Sequence, residues 1–337
     1  MRVKIGAHDL SQALRRIGTV SDHVLIDAGQ SVLLKASDDF VEAHVRAYGD
    51  VRATGCAYVN RDRLCRIIAG CHGTVIMGMT DDRLSISASS VSAALPVRDR
   101  LLYHSYGVAG EKTDTGLTFK QIRDLHRFAP HIEGWDNVSV RDGAAYIRFS
   151  GGLFADCQGG FAGGGAIPLT AVRRLTDFDP NATLSISESA WQFTGPDCAA
   201  SGMTILGKVE DWRRIHVAGN WVMEFEQARF LRALKVVSGA GGERCALISR
   251  DGRLFLTALA EPGVEYTAET EIDAHVRRGG FQVFSPGALA KAMNFLGDCV
   301  IHIRDTVGGL QCNAVGTKRV AFLTNQRHHQ HSVEVAA

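Results

Sequence analysis

Eight cysteines, a histidine-rich end and a set of recurring arginines and lysines are the residues of this 337-residue chain that could do chemistry. The cysteines are Cys56, Cys65, Cys71, Cys157, Cys198, Cys245, Cys299 and Cys312. None form a C-x-x-C pair and their spacing fits no zinc ribbon or finger, so they read as reduced, buried thiols. His328, His329 and His331 read as part of a solvated tail, not as metal ligands. The run Gly163-Gly164-Gly165 lacks the lysine and hydroxyl that a phosphate-cradling loop needs. Metalloprotease, nucleophile-elbow and EF-hand patterns do not occur either. The expectation is a protein that is not an enzyme, with no catalytic residue, metal or cofactor.

The basic residues point to a different chemistry. Arg15, Arg16, Arg61, Arg63, Arg66, Lys120, Arg123, Arg127, Arg173, Arg174, Arg229, Arg232, Lys235 and Lys291 fall in six short stretches. These stretches are residues 8–18, 60–70, 118–128, 168–178, 226–237 and 285–296. They hold 14 basic residues against five acidic ones (Asp9, Asp62, Asp124, Asp177 and Glu226), a net of +9. The whole chain carries only +1, which leaves −8 for the remainder. Helices favour long charged side chains of either sign, yet only one glutamate occurs in the six stretches. Repeated basic faces of this kind suit a nucleic-acid phosphate backbone gripped without reading bases. Aromatic residues in the stretches (Phe119, Phe128, Phe178, Phe230 and Phe295) are few and several lie on the apolar side, which disfavours single-strand stacking.

The elements that must position these residues are legible as a repeat. Apolar residues recur at helical spacing in Leu10/Ala13/Leu14/Ile17, Leu64/Ile67/Ile68/Cys71, Phe119/Ile122/Leu125, Leu169/Val172/Leu175, Phe230/Ala233/Leu234/Val237 and Leu289/Ala292/Met293/Leu296. Asn60 and Thr118 stand where helix caps belong, Pro168 suits a first turn, and Ser285-Pro286 reads as cap plus first helical residue. Each helix is followed by two strand-like runs around a turn, most clearly at Asp142-Gly143 and Asp251-Gly252. First helices begin near residues 8, 118 and 226 and second helices near 60, 168 and 285, so the unit recurs every 108–117 residues. This predicts an α+β chain of three similar domains, 1–108, 109–217 and 218–327, and a tail, 328–337. Links are expected near Tyr103–Asp114 and His216–Trp221, and a parallel α/β sheet is disfavoured because helices are too few. No apolar run approaches the roughly 18 residues of a membrane span, and MRVKIGAHDL reads as no signal or transit peptide, so a cytoplasmic protein is expected.

The triple period resembles the bacterial DNA sliding clamp, the β subunit of DNA polymerase III, over the chain to about residue 327. MRVKIGAHDLSQALRRI is similar to that family's first strand and helix, and Leu33–Asp39 to a strand ending in Thr-Asp. Asp211–Ile215, DWRRI, resembles the family's Asp-Tyr-Arg-Arg-Val/Ile segment. The resemblance implies a homodimer closed head to tail into a ring, with sheets outside and basic helices facing enclosed duplex DNA. It implies a processivity factor in DNA replication, binding polymerase and clamp loader through short peptides. A partner cleft would then involve Gly152, Leu153, Ala155, Arg214, Ile215, Phe322 and Leu323, and the dimer interface the face around Val236 and Val237.

The chain departs from that pattern in places. Gly18–Gln30 is shorter than the family's loop, Gly151 replaces a common Asp and Glu210 a common Pro. The last strand reads AFLTNQR, and ten residues follow Arg327. A second reading keeps the fold without the role: a clamp-like scaffold or paralogue that binds replication or repair partners without supporting processive synthesis.

Overall fold

The computed structural model describes residues 1–80, 82–105, 110–128, 137–149, 151–205, 221–240, 243–259, 268–278, 280–306 and 308–325. The chain forms two compact units, Met1–Arg123 with Gly160–Lys208, and Asp124–Gly159 with Val209–Ala337. The middle third of the sequence contributes to both. Six α-helices lie at the expected positions: α1 (Ala7–Arg16), α2 (Arg61–Ala69), α3 (Phe119–Phe128), α4 (Leu169–Arg174), α5 (Gln227–Gly239) and α6 (Pro286–Leu296).

Each helix exists because one apolar stripe has a sheet to cover. Leu10, Ile17, Leu64, Phe119, Ile122, Leu125, Leu175, Phe230, Ala292 and Met293 are fully buried. Ile67 is the exception, only half-buried among the apolar positions read from the sequence. The Asn60 side chain accepts from the Arg63 N–H at 3.0 Å, one of the donors a helix start leaves unpaired. At α3 the Thr118 N–H donates to Gln121 Oε1 (2.8 Å), and Thr118 Oγ1 accepts from the Gln121 N–H (3.4 Å), a reciprocal capping box. Pro286 is in the first turn of α6, whereas Pro168 stands just before α4 as its N-cap.

All six expected hairpins form, each an antiparallel pair. At Asp142-Gly143 φ is 45° and 87°, and at Asp251-Gly252 it is 51° and 74°. Two successive positive φ values give the turn whose twist matches a two-residue hairpin, which is why Asp-Gly stands there.

In the first unit one sheet orders the strands Gly49–Ala53, Arg2–Gly6, Thr74–Thr80, Arg83–Ala88 and Val91–Pro96. Its other sheet orders Thr113–Thr118, Thr183–Ile186, Ala190–Thr194, Cys198–Met203, Glu42–Ala47, Val32–Ser37, His23–Ala28 and Gly55–Asn60. In the second unit a four-stranded sheet orders Glu269–Ile272, Arg253–Leu259, Arg244–Arg250 and Gly280–Phe284. A larger sheet there runs Asn137–Arg141, Ala144–Phe149, Gly152–Cys157, Arg319–Thr324, Gly309–Ala314, Val300–Thr306, Trp221–Glu226 and Ala274–Val276.

The sequence pattern missed the third strand after the first five hairpins, and the last strand was expected from the resemblance alone. Gly152–Cys157 shows why: its four central residues are all buried, so two covered faces erase the alternation. No helix of the described residues is long and apolar enough to cross a membrane.

Candidate nucleic-acid interface and partner cleft

In the first unit the helices are tied to one another near their ends. α1 packs on α2. The Thr19 N–H donates to the Arg174 carbonyl at the end of α4 (2.8 Å), and Arg123 Nη1 donates to the Thr176 carbonyl (3.5 Å). Because the stripes opposite are buried, the basic positions face outward. Arg15, Arg63, Arg66 and Lys120 are exposed, and among the described residues none makes an ion pair. Arg173 is exposed and Arg16 half-buried.

Two others are committed to the fold. Arg61 donates to the Gly18 carbonyl and, at 2.8 Å, to Asp62, with its side chain only 17% exposed. Arg174 pairs with Asp38 and lies over the Phe40 ring, 5.7 Å from its centroid. Arg123 is half-buried above Phe119, 6.0 Å from the ring centroid.

The second unit repeats the division. Arg127, Arg232, Lys235 and Lys291 are exposed and make no ion pair among the described residues. Arg229 is held by Glu226 at 2.8 Å and by Asp273. Exposed, unpaired cations can exchange their counterions for phosphates, whereas those already neutralised contribute little. The sequence total of +9 therefore overstates the charge free for a ligand.

The proposed cleft residues do not share one surface. Leu153 pairs with Phe322 across neighbouring strands, and with Ala155 and Tyr146 they form a buried cluster flanked by Cys157 and Val320. Leu323 pairs with Gly152 and so lies on the other side of the sheet. That is the side on which Phe154 stacks on Phe295 of α6 with centroids 4.8 Å apart. Arg214 and Ile215, like Glu210 and the tail, lie outside the described residues.

Gly152 has φ 150°, and a Cβ placed there would sit 1.7 Å from the Phe322 carbonyl oxygen. Its glycine is required by the junction with the last strand. Gly152→Ala is expected to lower unfolding free energy by about 3 kcal/mol, read by urea denaturation. An unchanged midpoint would remove this packing argument.

Of the pair read as a dimer face, Val236 is 57% exposed, but Val237 is 1% exposed and belongs to the core of its own unit. Sequence reasoning missed two backbone edges: among the described residues, Val91–Pro96 and Glu269–Ile272 each end a sheet with one side unpaired. The detectable signal was the repeat itself. In the equivalent places the last strand of one repeat pairs with the third strand of another, as Cys198–Met203 does with Glu42–Ala47 and Arg319–Thr324 with Gly152–Cys157.

All eight cysteines are free thiols and none is exposed. Burial pushes Cys245 and Cys312 up to about 12, so neither offers a thiolate at neutral pH. No group of three or more His, Cys, Asp or Glu among the described residues could hold a metal ion.

No family model matches the sequence, and no curated protein is similar to it. Solved structures are another matter. The DNA polymerase III subunit beta of Pseudomonas aeruginosa superposes with a TM-score of 0.79 at 14% identity, covering 97% of this chain and 100% of that one. The sliding clamp of Bartonella birtlesii bound to griselimycin gives 0.78 at 18%, covering 97% and 99%. The Helicobacter pylori beta clamp bound to a DNA ligase peptide gives 0.78 at 15%, covering 96% and 99%. Across nearly its whole length, at 14–18% identity, the chain has the fold of the bacterial DNA polymerase III beta sliding clamps.

Proposed function

We propose that the chain is a DNA sliding clamp, a non-catalytic processivity factor. Two copies close head to tail into a ring around duplex DNA and tether the replicative polymerase. Each copy contributes three domains, 1–108, 109–217 and 218–327, with the tail 328–337 beyond them. The observation that carries this reading is the set of exposed cations, unpaired among the described residues, spread over five helices: Arg15, Arg63, Arg66, Lys120, Arg127, Arg232, Lys235 and Lys291. A ring holds its substrate by topology, so weak, sequence-independent phosphate contacts suffice and permit sliding.

Ring closure needs complementary surfaces, and the two unpaired edges supply them. Val91–Pro96 of one copy adds to Glu269–Ile272 of the other and continues the sheet, which also hides two edges prone to aggregation. Polymerase and clamp loader dock through short peptides beside the sheet face whose buried cluster holds Leu153, Ala155 and Phe322; the family resemblance adds Arg214 and Ile215, which lie outside the described residues. The Helicobacter pylori relative, seen with a ligase peptide, supports that mode.

The test joins two measurements. Light scattering at micromolar concentration should give two chains per particle. Primer extension on circular DNA, with loader and polymerase, should be stimulated. A monomer that is not retained on nicked circles would sink the reading. A dimer that binds polymerase peptides without stimulating extension would favour the scaffold role instead.

A further inference from the structure

A pocket of about 550 Å³ opens in the first unit on the face of the larger sheet turned away from α1. Its floor is set by the strands. Leu25 pairs with Lys35, and Lys35 with His44, so these side chains share one face, and Ser37 pairs with Glu42 on the same side. The segment 98–105 crosses above. The Arg98 N–H donates to the Tyr58 carbonyl (2.8 Å), and Tyr103 and Ser105 donate their hydroxyls to Glu42 at 2.8 and 3.0 Å. The pocket is the space left between this strap and Leu25 and Leu33.

Its charges are unevenly committed. Glu42 is 9% exposed and has its oxygens engaged by Tyr103 and Ser105, so it does not call for a cation. Burial and the Glu42 charge drive the Tyr103 pKa well up, which keeps its hydroxyl a donor. Burial also lowers the pKa of His44, so the imidazole is neutral at pH 7. Lys35 is already paired with Asp27 at 2.7 Å. Arg100 is exposed at the rim and has no ion pair or side-chain hydrogen bond among the described residues. The one uncommitted charge is therefore positive. The apolar surface continues outward onto Leu101 and Leu102, 83% and 55% exposed.

We infer that this pocket binds a short linear peptide segment in which a carboxylate stands beside a bulky apolar side chain. The apolar side chain fills the space over Leu25 and Leu33, its carboxylate meets Arg100, and the following residues cover Leu101 and Leu102. The volume suits one such side chain with its neighbours, and the exposed leucines beyond it favour an extended chain over a compact metabolite. This site is separate from the cleft around Leu153 and does not depend on the ring reading.

The probe is acetyl-Gly-Asp-Leu-Phe-Gly-amide, titrated into full-length protein with labelled leucine methyl groups. Methyl signals of Leu25, Leu33 and Leu101 should shift saturably, which separates this pocket from binding elsewhere. Arg100→Glu, and the probe with Asn for Asp, should each weaken that saturation about tenfold. Leu101→Ser should weaken it as well. If those three signals stay still at millimolar probe, or Arg100→Glu leaves the saturation unchanged, the inference fails. It also fails if acetyl-leucine alone saturates them as readily as the peptide.

Discussion

A chain carrying Arg15→Glu, Arg63→Glu, Arg66→Glu and Lys120→Glu is expected to lose retention on nicked circular duplex while keeping its thermal midpoint. All four side chains are exposed and unpaired among the described residues, so nothing in the fold depends on their charge. Surface changes of this kind usually stay within about 0.5 kcal/mol of neutral. Binding responds differently, because each site turns from attracting phosphate to repelling it. If each contacts one phosphate, the slope of log affinity against log salt should flatten by about 3.6. Retention on linear DNA with free ends serves as the control for topological holding. A quadruple variant held on circles as well as the parent would mean that these helices do not face DNA.

The choice of residues matters more than their number. Arg174→Glu would put a carboxylate against Asp38, whose side chain is 16% exposed, and Arg61→Glu would strip a donor from the Gly18 carbonyl. Losses of about 1–3 kcal/mol are expected from such broken pairs, enough to confuse lost DNA binding with lost structure. Arg229 is left out for a different reason: its pairs with Glu226 and Asp273 are exposed, so reversal should cost less than about 1 kcal/mol, but its charge is already neutralised.

That distinction was not legible in the sequence. The helices were, because a stripe such as Phe230/Ala233/Leu234/Val237 is a local pattern fixed by 3.6 residues per turn. The hairpins at Asp142-Gly143 and Asp251-Gly252 were legible for the same reason: their turns demand φ above zero at adjacent residues. Partners far apart along the chain carry no such local mark. Asp38 and Arg174 meet because the strand Cys198–Met203 joins Glu42–Ala47 and brings their neighbourhoods together. Leu323 failed as a companion of Phe322 for a simpler reason, since adjacent strand residues point to opposite faces. Val237 failed likewise. It completes the buried stripe of α5, while its neighbour Val236 turns outward.

Ring closure is where the repeat can be pressed hardest. On the edge strand Val91–Pro96, Leu95 is buried while Ser92 and Ala94 are exposed; on Glu269–Ile272, Ile272 is buried while Glu269 and Glu271 are exposed. If the two edges pair between copies, Leu95 and Ile272 continue one core, and Ser92 and Ala94 lie on the solvent side with the two glutamates. Ser92→Glu with Ala94→Glu then sets carboxylates beside carboxylates at both junctions of the ring. Like charges across a strand pair are destabilising, and the dimer dissociation constant is expected to rise by at least about tenfold. Adding Glu269→Gln and Glu271→Gln to the same chain should restore the dimer, because the repulsion is removed and Arg250 and Arg253, held by those glutamates at 2.6 and 3.5 Å, are freed to attract the new carboxylates. Rescue is the informative arm, since a merely misfolded edge would not recover. Sedimentation velocity across a dilution series reads both effects. A dimer indifferent to the first pair of changes would place closure elsewhere, with the exposed face of α5 around Val236 next in line.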